Sequence, residues 1–449
     1  MSEIPDQPGP EAPKSAARAS DMPFETHALR GALLDEVHAR PFRPVEAPRV
    51  LHHVAFLSEM DADAELEQLT RFCTAHGALP PGPGARHHIV TLGGAEMRWE
   101  RHTEFTSMTL SVSPPPGDPF AAPNISSLAA FLPKPPGPMI VATRLALIGL
   151  EGDLPNMEMF DPSSLCVSRA EGGAVVATDF RADSSGFTRI LVANAALQPA
   201  RLGALIQRLL EIETYRTLAL LGLPEAQRLG PFVERIETQL AAMTVRMKEE
   251  PSLQSSRELL DRLIAMAAEV EAEGASATYR FGATRAYWDL VAQRLVSIRE
   301  ERIPGYGSTE GFLSRRMKPA LRTCDSIERR LADLSQKLAR TSNLLRTRVD
   351  IELESQNRDL LDSMNRRARL QLRLQQTVEG LSVAAVSYYV VGLISYMIKG
   401  GEKFVQIPFD PVVATAVAVP VAVLFVWLLV RRIRHGHSEP AQKDPFEGL

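Results

Sequence analysis

Two stretches near the carboxyl end carry no charge: Leu381 to Ile398 (LSVAAVSYYVVGLISYMI) and Pro411 to Val430 (PVVATAVAVPVAVLFVWLLV). A helix needs about 20 mostly apolar residues to cross roughly 30 Å of hydrocarbon. Both runs approach that length and are apolar nearly all round, unlike a core helix with one polar face. The connector KGGEKFVQIPFD is too short to hold a domain. The pattern predicts two antiparallel transmembrane helices, 381–398 and 411–430, forming a hairpin over 378–430, with a basic tail at 431–449.

Upstream the periodicity is that of a soluble protein. Residues 1–22 are rich in Pro, Ala, Ser and charge and offer little to bury, so they read as a disordered lead. His27 to His38 has Leu29, Leu33, Leu34 and Val37 at helical spacing, and Pro41 and Pro44 end that helix. RVLHHVAFL (Arg49–Leu57) reads as a strand, and Asp61 to His76 as a helix with Leu66, Leu69 and Phe72 facing inward. Two or three strands are expected over 86–112, with a turn at Gly93-Gly94. A Pro-rich connection follows, broken by a short helix at Ser126–Phe131. Then come MIVATRLALIG, LCVSRA, AVVATDFRA and FTRILVANA, all of strand length. Residues 23–197 are thus predicted to form an α+β domain with a mostly antiparallel sheet.

From residue 198 to 377 the pattern is helical. Helices are expected at Pro199–Leu221, 225–248, 252–273 and 276–302, separated by Gly222-Leu223-Pro224, Pro251, Gly274 and Pro304-Gly305. The last one begins near Gly311. Its Ile327, Leu331, Leu334 and Leu338 form a heptad-like seam, and eleven-residue steps follow through Val349, Leu353, Leu360 and Met364. No Pro or Gly interrupts Ala320 to Glu379, so this coiled-coil-like stalk extends on the order of 80 Å before the first apolar run. Such a seam must face helices of its own chain or copies of itself.

Charge sets the expected sidedness. Arg366, Arg367, Arg369 and Arg373 precede the first run, and Arg431, Arg432 and Arg434 follow the second. The connector holds only Lys399 and Lys403, offset by Glu402 and Asp410. Arg and Lys close to a span are retained inside, so both termini are expected in the cytoplasm. The first residues lack an apolar segment of the secretory kind. In 449 residues, a net charge of −4 argues against general nucleic-acid binding, and a hydrophobic share of 45% is enough for a real core. Cys73, Cys166 and Cys324 are isolated, with no C-x-x-C pair, which fits a reducing compartment and no thiolate zinc site.

Candidate chemistry centres on histidine. His27, His38, His52, His53, His87, His88 and His102 all fall in the α+β region. A metal site needs three or four converging ligands. In a strand His52 and His53 point to opposite faces, as do His87 and His88, so one of each pair at most joins a given site. LDEVHARPF, with Asp35, Glu36, His38 and Arg40, is the densest polar stretch; a capped helix end explains it equally. The chain has no P-loop, no H-E-x-x-H and no G-x-S-x-G. Gly305 to Gly311 (GYGSTEG) has the wrong spacing and context for a dinucleotide loop and reads as a helix-breaking turn. In the first apolar run Ser382, Ser387, Tyr388, Tyr389, Ser395 and Tyr396 suit interhelix hydrogen bonds or a pore lining.

HALRGALLDEVHARPFRPVEAPRVLHHVAFL and QNRDLLDSMNRRARLQLRLQQTVEGLSVAAVSYYVVGLISYMIKG together resemble a bacterial family of predicted membrane-anchored proteins of unknown function. That resemblance implies an inner-membrane protein and carries no catalytic residue. The layout is also similar to CorA-type magnesium and zinc transporters, which implies a pentamer with the first span lining a pore for divalent cations. Their Gly-Met-Asn motif has here only Met397, in Ser395-Tyr396-Met397-Ile398-Lys399-Gly400, with no Asn and a lysine at the mouth that repels cations. The expectation is therefore a non-enzymatic inner-membrane protein in contact with the lipid bilayer, homo-oligomeric, presenting an α+β domain for regulation or protein binding. The alternatives are a CorA-like channel and a membrane-tethered metal-dependent enzyme near Glu36 and His38.

Overall fold

The computed structural model describes residues 24, 27–31, 33–34, 42–121, 129–249, 252–401 and 411–436. These divide into two compact units, one within Met1–Glu249 and Asp261–Ser342, the other within Glu250–Leu260 and Asn343–Leu449. The second part of the expected helix at His27–His38 with the stretch Asp35 to Arg40, the first half of the short helix at Ser126–Phe131 and most of the connector of the apolar runs lie outside the described residues.

The first unit is built on a nine-stranded mixed sheet in the order β2-β3-β4-β1-β5-β8-β7-β6-β9. The strands are β1 (Arg49–Leu57), β2 (His87–Leu92), β3 (Ala95–Arg101), β4 (Phe105–Val112), β5 (Met139–Gly149), β6 (Cys166–Arg169), β7 (Val175–Ala182), β8 (Thr188–Asn194) and β9 (Glu301–Arg302). Neighbours run antiparallel except β5 and β8, which are parallel. The expected strands thus all form. Sequence pattern missed β9, whose two residues are too short to show a period. Glycines at 93 and 94, both at positive φ, close the β2–β3 hairpin as a two-residue turn requires.

β1 lies between β4 and β5 and is buried on both faces, which explains its nearly unbroken apolar run. On one face Val54 and Phe56 join Trp99, Met108 and Leu110 under α1 (Ala62–Ala75), which packs through Leu69 and Cys73. The Asp61 carboxylate caps α1 by accepting from the Ala64 amide at 2.8 Å. The other face of β1, with Leu51 and Ala55, is covered by α2 (Pro199–Ala219) through Leu202, Leu205, Ile206 and Leu209. Helix α2 thus shares the sheet's core, and the change from strand to helix at residue 198 falls inside one packed unit.

The remaining helices are α3 (Gly222–Glu249), α4 (Leu253–Ser297), α5 (Thr309–Gly401) and α6 (Pro411–Gly436). Gly274 does not separate two helices as expected; it lies inside the 45-residue α4. One glycine costs a helix about 1 kcal/mol, and burial of Val270, Ala277 and Phe281 on either side outweighs it. GYGSTEG is a turn: the Gly307 carbonyl accepts from the Val167 amide, and the Glu300 carboxylate caps α5 by accepting from the Thr309 and Glu310 amides.

Within the first unit the seam Ile327, Leu331, Leu334 and Leu338 is buried. Leu229, Val233 and Ile236 of α3 and Leu263, Met266 and Val270 of α4 are buried as well. Ion pairs stitch the three helices: Arg228 to Glu273 at 2.6 Å, Arg235 to Glu269 at 3.1 Å, Arg330 to Glu237 at 2.6 Å, and Arg285 to Glu328. Over these residues the seam faces its own chain. In the second unit Ser256, Leu259, Leu345 and Val349 are buried, whereas Leu360, Met364, Leu370 and Leu374 stand exposed. Among the described residues one helix, α5, is long and apolar enough to cross a membrane by length and composition.

Candidate functional site

The histidines separate as the strand period requires. His53 lies on the α2 face of β1, between Thr109 of β4 and Thr214 of α2, at 2.8 and 2.9 Å. Thr214 already donates its hydroxyl proton to the Leu210 carbonyl, so its oxygen accepts from His53 Nε2–H. Nδ1 then accepts from the Thr109 hydroxyl. The ring is neutral with both nitrogens used, and burial, reinforced by Arg98, lowers its pKa to about 3. His53 is a structural tie between sheet and helix. His52 faces the α1 side, edge-on to Phe187; burial and then Arg144 lower its pKa to about 4. His88 donates from Nε2 to the Leu79 carbonyl at 2.9 Å.

Among the described residues no three His, Cys, Asp or Glu converge to hold a metal ion. The three cysteines are buried and unpaired. Burial pushes the Cys166 thiol up to about 12 and Cys324 to about 11, so neither is a ready nucleophile.

What the topology does bring together is a cavity of about 540 Å³ at one end of the sheet, within the size of small-molecule sites. Its wall takes Ser58 after β1, Glu65 of α1, Arg86 ahead of β2, Arg101 and His102 at the end of β3, Phe105 of β4, Tyr215 of α2 and Tyr287 of α4. The β2–β3 ladder continues one step past His87↔Glu100, where the Arg101 amide donates to the Arg86 carbonyl at 2.8 Å. Arg86 and Arg101 therefore lie directly opposite each other, a like-charge pairing that antiparallel strands normally avoid.

Aromatic rings brace this corner. His102 stacks on Phe105 at 4.1 Å, Tyr215 stacks on Tyr287 at 5.8 Å, and Phe105 meets both tyrosines edge-on. In the β3–β4 turn Glu104 accepts from Arg280 and from the Tyr287 hydroxyl, each at 2.7 Å. Burial opposes ionisation of Glu104, but these donors together with Tyr279 prevail and hold its pKa below the usual value.

Glu65 is the opposite case. It is 3% exposed, and neither carboxylate oxygen has a hydrogen-bond partner of good geometry. Burial raises its pKa, against smaller pulls from Thr106, Arg101 and Trp99. A raised carboxyl beside two guanidinium groups in a cleft has the marks of a functional position. Sequence reading missed it by centring the buried face of α1 on Leu66, Leu69 and Phe72. The buried positions are Glu65, Leu69 and Cys73, a strict i, i+4, i+8 row with a carboxyl at its head.

A second cavity, of about 370 Å³, lies on the α2 side beside the segment Arg43–Glu46. Gly203 makes that close approach possible: a Cβ there would collide with the Arg43 carbonyl oxygen. The Val45 amide donates to the Pro199 carbonyl, and Arg43 pairs with Glu96 at 3.4 Å.

No curated protein matches the chain. A family model described as "Protein of unknown function (DUF3422)" matches residues 25–437, from ahead of β1 past the end of α6, and the chain belongs to that family.

Proposed function

We propose that the chain is a non-enzymatic anchor of the bacterial inner membrane that presents its α+β unit in the cytoplasm as a binding module. In this reading the runs 381–398 of α5 and 411–430 of α6 form a hairpin in lipid, with both termini inside. The observation that carries it is the exposure of apolar side chains along both runs: Leu381 is 75% exposed, Leu393 65%, Val417 63% and Phe425 63%. Burying each such side chain is worth about 1.5–3 kcal/mol, and hydrocarbon supplies that burial where water cannot. The arginines at 366–373 and 431–434 support the sidedness. Arg431 also lies over the Trp427 ring at 5.1 Å, a pairing suited to a headgroup region.

Self-association belongs to the same reading, supported by the exposed Leu360, Leu361, Met364, Leu370, Leu372 and Leu374 on α5. The test is high-speed centrifugation of a detergent-free lysate, with a reporter fused after Leu449. The chain is expected in the pellet, resistant to carbonate, with the reporter active in the cytoplasm. Recovery in the supernatant sinks the anchor; a reporter active only outside the cytoplasm reverses the sidedness.

The CorA-like channel is the second reading, supported by layout: a soluble α+β part, a long helix running into an apolar segment, and a second apolar helix. Five copies in detergent and cation flux in liposomes that rises on Lys399→Asn would favour it, and a monomer would end both it and the homo-oligomer.

A further inference from the structure

We propose that one face of α5, just ahead of its apolar run, is a contact surface for anionic phospholipid headgroups, carried by Arg366, Arg369 and Arg373. This rests on the reading of α5 and α6 as a membrane hairpin and names the lipid that the anchor prefers. Three observations select the partner.

First, the arginines are available. Between Asp362 and Glu379 the helix carries Arg366, Arg367, Arg369 and Arg373 and no carboxylate. Every residue from 354 to 378 is exposed, and none of these four guanidinium groups has an ion-pair or hydrogen-bond partner among the described residues. One turn earlier the pattern differs, because Arg358 pairs with Glu354 at 3.2 Å.

Second, three of the four share a face. Arg366, Arg369 and Arg373 are spaced i, i+3, i+7, within about 60° of one another at about 100° per residue. The exposed row Leu360, Met364, Leu374 and Val378 lies on the other side of the helix, so self-association through that row leaves the arginines facing outward. Retention of positive charge on the inner side depends on nearness to the span and not on the face. A shared face is what a contact surface requires.

Third, the stripe stands at the right height. Arg373 lies about 12 Å and Arg366 about 22 Å along the helix from Leu381, where the uncharged run begins. The polar layer of a bilayer is about 5–7 Å deep on each side, and charge is felt about 8 Å beyond it. Arg373 falls inside that range and Arg369 and then Arg366 at its fringe, so their contributions decline in that order. Guanidinium groups match phosphate oxygens, and a headgroup of net negative charge attracts them where a zwitterionic one does not.

The experiment is electron spin resonance on the full chain reconstituted in phosphatidylcholine vesicles. These hold a trace of spin-labelled phosphatidylglycerol or, separately, spin-labelled phosphatidylcholine, and the spectrum gives the fraction of label immobilised on the protein. Phosphatidylglycerol is expected to associate about threefold or more strongly at about 0.05 M salt, and the preference to shrink at about 0.5 M. Replacing Arg366, Arg369 and Arg373 together by Gln should remove about half or more of the preference, the arginines of 431–434 keeping the remainder. Arg373→Gln alone should cost more than Arg366→Gln alone. Gln is as good a helix former as Arg and the positions are exposed, so the fold is retained. The same change of charge at the exposed Arg322, Arg340 and Arg346, about 50 Å or more up the helix from Leu381, should leave the preference unaltered. Both leaflets carry the label, so the readout is independent of the direction of insertion. Equal association of the two lipids, a preference unchanged in the triple variant, a larger loss at Arg366 than at Arg373, or an equal loss in the distant control overturns the surface and leaves the anchor standing. A chain that immobilises neither lipid sinks the anchor and this surface with it.

Discussion

His53 shows how much one residue's role depends on groups far away in the chain. Its strand position and the opposite facing of His52 follow from alternation in RVLHHVAFL. Its partners, Thr109 and Thr214, lie 56 and 161 residues away and carry no local signal. Folded, the two imidazoles stay neutral down to about pH 3 and 4; unfolded, they take up a proton near 6.5. Acid therefore favours the unfolded chain, and each histidine removes about 1.4 kcal/mol of stability per pH unit below about 6.5. Glu65 acts in the opposite sense, because its raised pKa favours the folded chain as pH falls. The histidine share is read by difference: thermal melts from pH 7 to 5 should fall less steeply in His53→Leu than in the parent. At pH 7 the same variant should be about 1–3 kcal/mol less stable, since the Thr109 hydroxyl loses its partner. Equal slopes would refute the neutral, hydroxyl-bound ring. Gly203 is a second such residue. Gly203→Val drives a side chain into the Arg43 backbone, so a loss of about 1–3 kcal/mol in urea unfolding is expected; an unchanged midpoint would mean the Arg43–Glu46 segment does not rest there.

At the scale of elements, α5 changes its surroundings along its length while its sequence keeps much the same rhythm. Apolar residues recur from Ile327 to Met364, yet Leu338 is fully buried and Leu360 is 62% exposed. Periodicity reports that a stripe exists and is silent on what covers it. The covering helices α3 and α4 supply a core only as far as their own buried rows extend. Leu338→Ala should therefore cost about 2–5 kcal/mol in chemical unfolding, and Leu360→Ala less than about 0.5 kcal/mol in a dissociated chain. A large loss at Leu360 would reveal a second copy on that face. Gly274 makes the converse point: a helix breaker by type, it sits inside α4 because packing on either side overrides propensity.

At the scale of the whole molecule, the membrane reading rests on the many apolar side chains of both runs that stand exposed among the described residues. Removal of residues 381–449 should release the remainder into the supernatant of a detergent-free lysate. A truncated chain that still pelleted would show that the apolar runs are not what holds the protein to membranes.

Local pattern alone established the strands other than β9, the turn ahead of α5 and the two uncharged runs, because those depend on neighbours within a few residues and on the choice between water and hydrocarbon. Tertiary structure decided the rest. It placed α2 in the sheet's core, turned the seam of α5 inward, and set Glu65 beside Arg86, Arg101 and His102. These juxtapositions join positions tens to hundreds of residues apart, and side-chain periodicity holds no information about which distant surface will close over a given face.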